Sequence, residues 1–227
     1  MVSTYPGKKA SALSDKTDNH GWRYPAALLA AFCLLWVALA IAPLFRQDWL
    51  LENLLVLVAV PVLVLTRHRL RFSNFAYSCL FLFFALHELG AHYTYSLVPY
   101  DAWFKSLTGQ SLDALLGFER NQYDRLIHFL YGLLITPAAV ELFAHHGRYP
   151  PTWAALFPML FVVSHSVIYE LVEWGAAFAF GGDLGQAYLG TQGDIWDAQK
   201  DMALAFLGTF VAVAVLGAAG RLPVRQR

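Results

Sequence analysis

Charge is what this chain has least of. Asp, Glu, Lys and Arg make up 14% of it, against roughly 25% in an ordinary soluble domain. The two signs cancel to a net charge of zero, and no basic block stands out, which excludes a nucleic-acid partner. Cysteine is scarce as well. Cys33 and Cys79 both fall inside apolar runs, so neither a disulfide framework nor a thiolate metal motif is available. Ser-His-Asp, P-loop, dinucleotide and Cys-pair zinc signatures are all missing.

What the chain has is apolar length. It is 58% hydrophobic, and runs of roughly 17–25 apolar residues, enough to cross a bilayer as a helix, recur along it. The pattern predicts an all-α polytopic membrane bundle of about six transmembrane helices, with the lipid bilayer as its first partner. The spans expected are Pro25–Leu44, Leu50–Leu65, Phe72–Ser96, Asp124–Phe143, Trp153–Phe180 and Gln199–Ala219. Pro61, Pro137 and Pro158 fall inside three of them, tolerable where neighbouring helices re-satisfy freed carbonyls. Residues 1–23 read as a disordered basic cytoplasmic tail, 24–220 as the transmembrane domain and 221–227 as a second basic tail. Ala26–Val37 followed by Ala38-Leu39-Ala40 also has the outline of a cleaved signal core. Its apolar run continues to Leu44 and a long polar tail precedes it, so it reads as a span.

Lys and Arg set the orientation. With the N-terminus inside, eleven basic residues face the cytoplasm and five the other side, so both termini are expected to be cytoplasmic. Two outer connections are unusual. Residues 98–120 contain "DAWFKSL" and "LDALLGF", candidates for interfacial amphipathic helices. Gly181–Gly193 holds five glycines and reads as a flexible loop. Either has the position of a lid.

Four polar stripes punctuate the apolar spans. Glu88, His92 and Tyr95 are spaced i, i+4, i+7, and Asp124, His128 and Tyr131 repeat that spacing. Ser166, Glu170 and Glu173 do so at i, i+4, i+7, and Asp194, Asp197 and Asp201 at i, i+3, i+7. Each set covers one face of one helix, and the expected topology puts all four toward the extracytoplasmic side.

Seven carboxylates then stand in or near the outer leaflet: Glu88, Asp124, Glu170, Glu173, Asp194, Asp197 and Asp201. Arg120, Arg125 and Lys200 can pair with three at most. An ionisable group at membrane depth costs at least a few kcal/mol, so the remainder require protonation, water or a bound cation. A divalent ion held by Glu88, His92, Asp124, His128, Glu170, Asp194 and Asp197 balances the most charge. The oxygen-rich, thiolate-free set favours Zn, Mn, Fe, Mg or Ca. Each residue also has a plainer reading. Asp194 can cap the sixth helix and Asp197 can answer its dipole. His92 and His128 can be buried histidines bonded to carboxylates, and Tyr95 and Tyr131 can be interface or packing residues. His87 and His165 rank behind the other histidines, and His145 and His146 read as solvated.

The segments "HELGAHYTYSLVPYD", "RNQYDRLIHFLYGLL", "YELVEW" and "YLGTQGDIWDAQKDM" resemble the YjdF-like bacterial inner-membrane proteins. The resemblance spans most of residues 50–220. It implies a polytopic protein of the bacterial inner (cytoplasmic) membrane and supplies no reaction. "YDRLIHFLYGLL" is also similar to the Asp-Lys-x-x-His-Phe segment of VanZ-like proteins, linked to glycopeptide resistance. Arg125 stands here in place of that lysine, and the later acidic segments follow the VanZ-like pattern poorly.

Three function classes fit. The first is a metal-dependent hydrolase or transferase acting on a lipid or lipid-linked substrate. Glu173 or Asp201 would be its general base, Arg120 and Arg125 its phosphate holders, and Tyr95, Tyr131 and Gln192 further substrate contacts. The second is an ion-coupled transporter, against which stand acids gathered at one face and the lack of an inverted repeat. The third is a non-catalytic assembly or resistance factor with a structural acidic site.

Overall fold

Helices apolar on every side must be covered by neighbours or by lipid, and this chain uses both. The computed structural model describes residues 21–182, 185 and 189–225. Of the disordered tail expected over residues 1–23, residues 1–20 lie outside the described residues, as do parts of the glycine-rich loop and the last two residues of the basic C-terminus. The helices are α1 (Arg23–Leu39), α2 (Arg46–Thr66), α3 (Asn74–Tyr93), α4 (Tyr100–Thr108), α5 (Leu112–Leu116), α6 (Tyr123–His146), α7 (Pro151–Phe180) and α8 (Asp197–Ala218). Among the described residues no named strand occurs; an isolated bridge joins Tyr149 and Val224. Helices α2, α3, α6, α7 and α8 are long and apolar enough to cross a membrane, and α1 is a shorter apolar helix. The chain is an all-α polytopic membrane bundle. Side chains such as Leu54, Val58, Ile168, Leu171 and Phe210 are more than half exposed along its flanks, a surface only lipid would cover.

Helix α6 is the hub. It packs on α8 most extensively, then on α3 and α7, while α1 and α2 join through α3. Small residues let α6 and α8 close up: Gly132, Thr136, Ala205, Gly208 and Thr209 meet there. A Cβ on Gly132 would lie 2.7 Å from the Thr209 amide nitrogen, and one on Gly208 would lie 2.9 Å from that of Leu133. Small residues of this kind are how membrane helices approach at backbone distance. The buried Thr136 and Thr209 hydroxyls donate to Gly132 O (2.6 Å) and Ala205 O (2.8 Å) on their own helices.

Several boundaries differ from the sequence reading: α1 stops at Leu39 rather than Leu44, and two other shifts move polar residues. Helix α2 starts at Arg46 rather than Leu50, bringing Asp48 inside it one turn before Glu52. Helix α3 stops at Tyr93, with Thr94 in the left-handed region (φ 58°), so Tyr95 leaves the expected stripe. The residue folds back through the 3-10 turn Tyr95–Leu97 over Gly90, where a Cβ would come within 2.8 Å of the Tyr95 ring. The stretches "DAWFKSL" and "LDALLGF" are helical as α4 and α5.

The ends of the bundle are chemically distinct. At one end Ser73 binds the Glu141 carboxylate through its amide (2.6 Å) and hydroxyl (2.5 Å), and Tyr149 N donates to Pro223 O (2.8 Å). At the other end lie the buried acids and the connections 94–122 and 189–196. The basic bias assigns that acidic end to the extracytoplasmic side. Single cysteines at Gly109 and Gly185 of a cysteine-free protein are therefore expected to react with an impermeant maleimide in intact cells. One at Arg148 should stay unlabelled, and labelling at Arg148 alone would invert the assignment.

Candidate metal centre between three helices

Helix α6 carries Asp124 and His128 one turn apart on the face turned to α8. Helix α8 brings Asp201 against them, because the small-residue contact lies one turn deeper on each helix. One ligand atom from each of the three lies within 4.8 Å of the others. Donors bound to one tetrahedral ion at about 2.1 Å stand about 3.4 Å apart, so sharing an ion requires these groups to draw in by up to about 1.4 Å. Helix α7 adds a fourth group. Glu170 Oε1 and Asp124 Oδ1 each stand 3.6 Å from His128 Nε2. His128 is buried and Asp201 is 2% exposed, so these charges are largely out of water's reach.

The buried oxygens want a partner. Asp201 Oδ1, Glu170 Oε1 and Ser166 Oγ make no hydrogen bond, whereas buried polar groups are nearly always satisfied. Glu173 stands within electrostatic reach of Glu170, Glu52, Asp124 and Asp201. Of these unpartnered oxygens, Glu170 Oε1 stands against the His128 ring and Asp201 belongs to the same cluster. Over the top, Gly190 adopts φ 61°, and a Cβ there would stand 3.9 Å from Asp124 Oδ2. The end of the glycine-rich loop thus rests on the site.

The cations gather just outside. Arg120 Nη1 donates to Asp197 Oδ1 (2.7 Å) and to Thr191 O (2.8 Å). Arg125 pairs with Asp194, and Lys200 Nζ reaches the same carboxylate at 2.5 Å. Asp194 lies before α8 rather than on it, and its Oδ1 accepts from Trp196 N (3.0 Å). With Lys200 first and the Trp196 amide next, these donors hold the Asp194 carboxyl at about 2. The stripe of Asp194, Asp197 and Asp201 is therefore helical only from Asp197 onward. Three cations pair with two aspartates, and among the described residues Arg120 and Arg125 act on the deeper Asp124 only from beyond ion-pair distance. Arg120, in the α5–α6 connection, and Arg125, on the first turn of α6, tie these elements to the segment that leads into α8. Gln192 does similar work: its side chain exchanges two hydrogen bonds with the Asn121 backbone (3.0 and 3.1 Å).

The other sequence candidates are divided. Glu88 is fully buried but faces α2, its oxygens close to Trp49 and Asn53 without completing a hydrogen bond. His92 turns away to α1, its Nδ1 2.8 Å from Leu39 O. Neither belongs to the Asp124, His128 and Asp201 group. Tyr131 packs on Phe83 and reaches only the Val162 carbonyl (3.4 Å). Tyr95 bonds His87 Nδ1, so the histidine ranked lower on sequence is the one held inside, with Nε2 3.2 Å from Glu52 O.

Sequence reasoning missed Asp48, Glu52 and Tyr169. Glu52 is 3% exposed and accepts from Tyr169 OH at 2.7 Å. The Tyr169 ring meets His128 edge-on at 6.2 Å, linking α2 to the centre. Asp48 is equally buried and has one oxygen without a partner. A signal existed, since Asp48 and Glu52 are spaced i, i+4 like the stripes that were found.

The family described as "Predicted membrane protein (DUF2238)" matches residues 24–221. The Escherichia coli (strain K12) protein described as "Inner membrane protein YjdF" is 34% identical over 175 residues, covering 75% of this chain and 78% of that one. No solved structure matches.

Proposed function

The chain belongs to the predicted membrane protein family DUF2238, and from that premise we propose that it is a metal-dependent hydrolase or transferase of the bacterial inner membrane acting on a membrane amphiphile. The observation that carries this reading is the convergence of Asp124, His128 and Asp201 within 4.8 Å. Orphaned oxygens of Glu170 and Asp201 surround it, with no Lys or Arg ion pair among the described residues. Three carboxylates and one imidazole form a hard donor set suited to Zn, Mn, Fe, Mg or Ca. A divalent ion there would supply Lewis acidity and lower the pKa of a water toward neutrality. Asp124, His128, Asp201 and Glu170 would hold it. Glu173, beside them and not needed as a ligand, has the position of a general base. The Tyr169 bond to Glu52 orients the aromatic edge that packs on His128.

One observation favours a second reading, an ion-coupled carrier. The acids do not stop at the centre but continue through Glu52 to Asp48 and Glu88, all buried and none ion-paired among the described residues. Proton or cation flux in liposomes separates the two.

The decisive measurement is elemental analysis of detergent-purified protein, with thermal unfolding in chelator and after adding back zinc or manganese. A ligand that binds only the folded state stabilises it by mass action, about 2.7 kcal/mol at a hundredfold excess over Kd. Chelation is expected to lower the midpoint and metal to restore it. A metal-free protein indifferent to both would leave the acids protonated and remove the enzyme reading.

A further inference from the structure

The centre has an open flank. Helix α2 packs on α3, while α7 packs on α6 and α8; the space left between α2 and α7 is a cavity of about 330 Å³. That is within the range of about 300–1,000 Å³ usual for ligand sites. Its walls are aliphatic, led by Leu54 and Val58 from α2 and Ile168 and Val172 from α7, and its inner end is polar, with His87 and His128. The four wall residues are 51–64% exposed, so in a bilayer the mouth opens sideways into lipid. From Leu51 to Val58 the wall follows about 10 Å of helix axis. At the polar end the gap is crossed by the Tyr169–Glu52 hydrogen bond.

We propose that this cleft binds one hydrocarbon chain of a membrane amphiphile, entering between α2 and α7 with its polar group directed toward His128. This rests on the reading of that cluster as the reactive centre and adds the substrate's class and its route. Three observations select the occupant. The mouth faces lipid, so what enters laterally is apolar. At the mouth, Leu54, Val58, Ile168 and Val172 offer a chain contact and no hydrogen bonds, and a polar group held there would go unsatisfied at a cost of kcal/mol size. The polar end is continuous with the acids, so an amphiphile alone matches both ends. A cavity of about 390 Å³ between α1, α2 and α3 is just as apolar but meets none of the clustered acids. It serves as the internal comparison.

The test uses the full chain in phosphatidylethanolamine–phosphatidylglycerol vesicles containing a trace of phosphatidylglycerol with a diazirine in its acyl chain. Photolabelling mapped by peptide mass spectrometry is expected to concentrate on α2 and α7 around Leu54, Val58 and Ile168. Filling the cleft with Leu54→Trp and Ile168→Trp should abolish most of that labelling while sparing the α1–α3 cavity. If the double variant fails to fold, Val58→Phe makes the same comparison. Asp124→Asn should lose metal yet keep the label, so failure of the metal reading and failure of this one are told apart. Labelling that ignores the fillers, or that is no denser than on the outer face of α1, would overturn the cleft as a binding site.

Discussion

Asp201→Asn protein is expected to fold, insert and purify like the wild type but to come out without its metal. The change keeps side-chain shape and one oxygen while removing the charge, at a position 2% exposed and one turn inside α8. A helix dipole favours acids only in the first turn, which accounts for Asp197 and not for Asp201. The neighbours of Asp201 are Asp124, His128, Glu170 and Asp197, and the fixed positive charge within reach, Arg125, is paired with Asp194 rather than with it. Losing one ligand of four should weaken binding at least about a hundredfold, because loss of a mere supporting partner already costs 10–100-fold. Asp124→Asn and His128→Ala should behave alike, and thermal midpoints of all three should stop responding to chelator. His92→Ala, whose imidazole bonds the Leu39 carbonyl, should retain wild-type metal. Asp194→Asn should retain metal too, since that carboxylate is spoken for by Arg125 and Lys200. Metal content undiminished in Asp201→Asn would return the acids to a structural role.

Much of this arrangement was legible in the residues. Apolar length gave the spans, and the carboxylate–imidazole spacing on α6 together with the depth of Asp201 picked out three of the groups that meet. The misreadings share a physical cause. Spacing gives a face but not its neighbour. Glu88 and His92 sit one turn apart, yet the first turns to α2 and the second to α1, and only packing on α3 decides between them. Tyr95 was placed on a stripe that ends at Thr94, where the backbone turns left-handed, a break local pattern does not announce. Asp48 falls outside the apolar run that defines the second span, Leu50–Leu65, and without it Glu52 stands alone there with no i, i+4 partner. The pairing of Arg120 and Arg125 with Asp194 and Asp197 joins residues some seventy positions apart, and charge counting predicted a number of pairs without saying which.

The contact between α6 and α8 carries the second large effect. Gly132 lies one turn below His128 on the same face, and Ala205 one turn below Asp201. The distance between backbones at that level therefore sets the distance between ligands above it. A methyl at Gly132 would meet the Ala205 carbonyl and the Thr209 amide, and one at Gly208 the Phe129 carbonyl and the Leu133 amide. These are backbone atoms of packed helices, so no side chain can swing aside. Gly132→Ala and Gly208→Ala should each destabilise by about 1–3 kcal/mol through overpacking, outweighing the gain of up to about 1 kcal/mol that Ala brings to a helix interior. Since the helices must part, metal affinity should fall with stability. Gly175→Ala on α7 is the matched control: nothing lies within 4 Å of its Cβ, so only the propensity gain remains. Thermal unfolding with and without added zinc reads both quantities in one experiment. Should Gly132→Ala and Gly208→Ala prove as stable and as metal-loaded as Gly175→Ala, the small-residue contact would not be what holds the site in register.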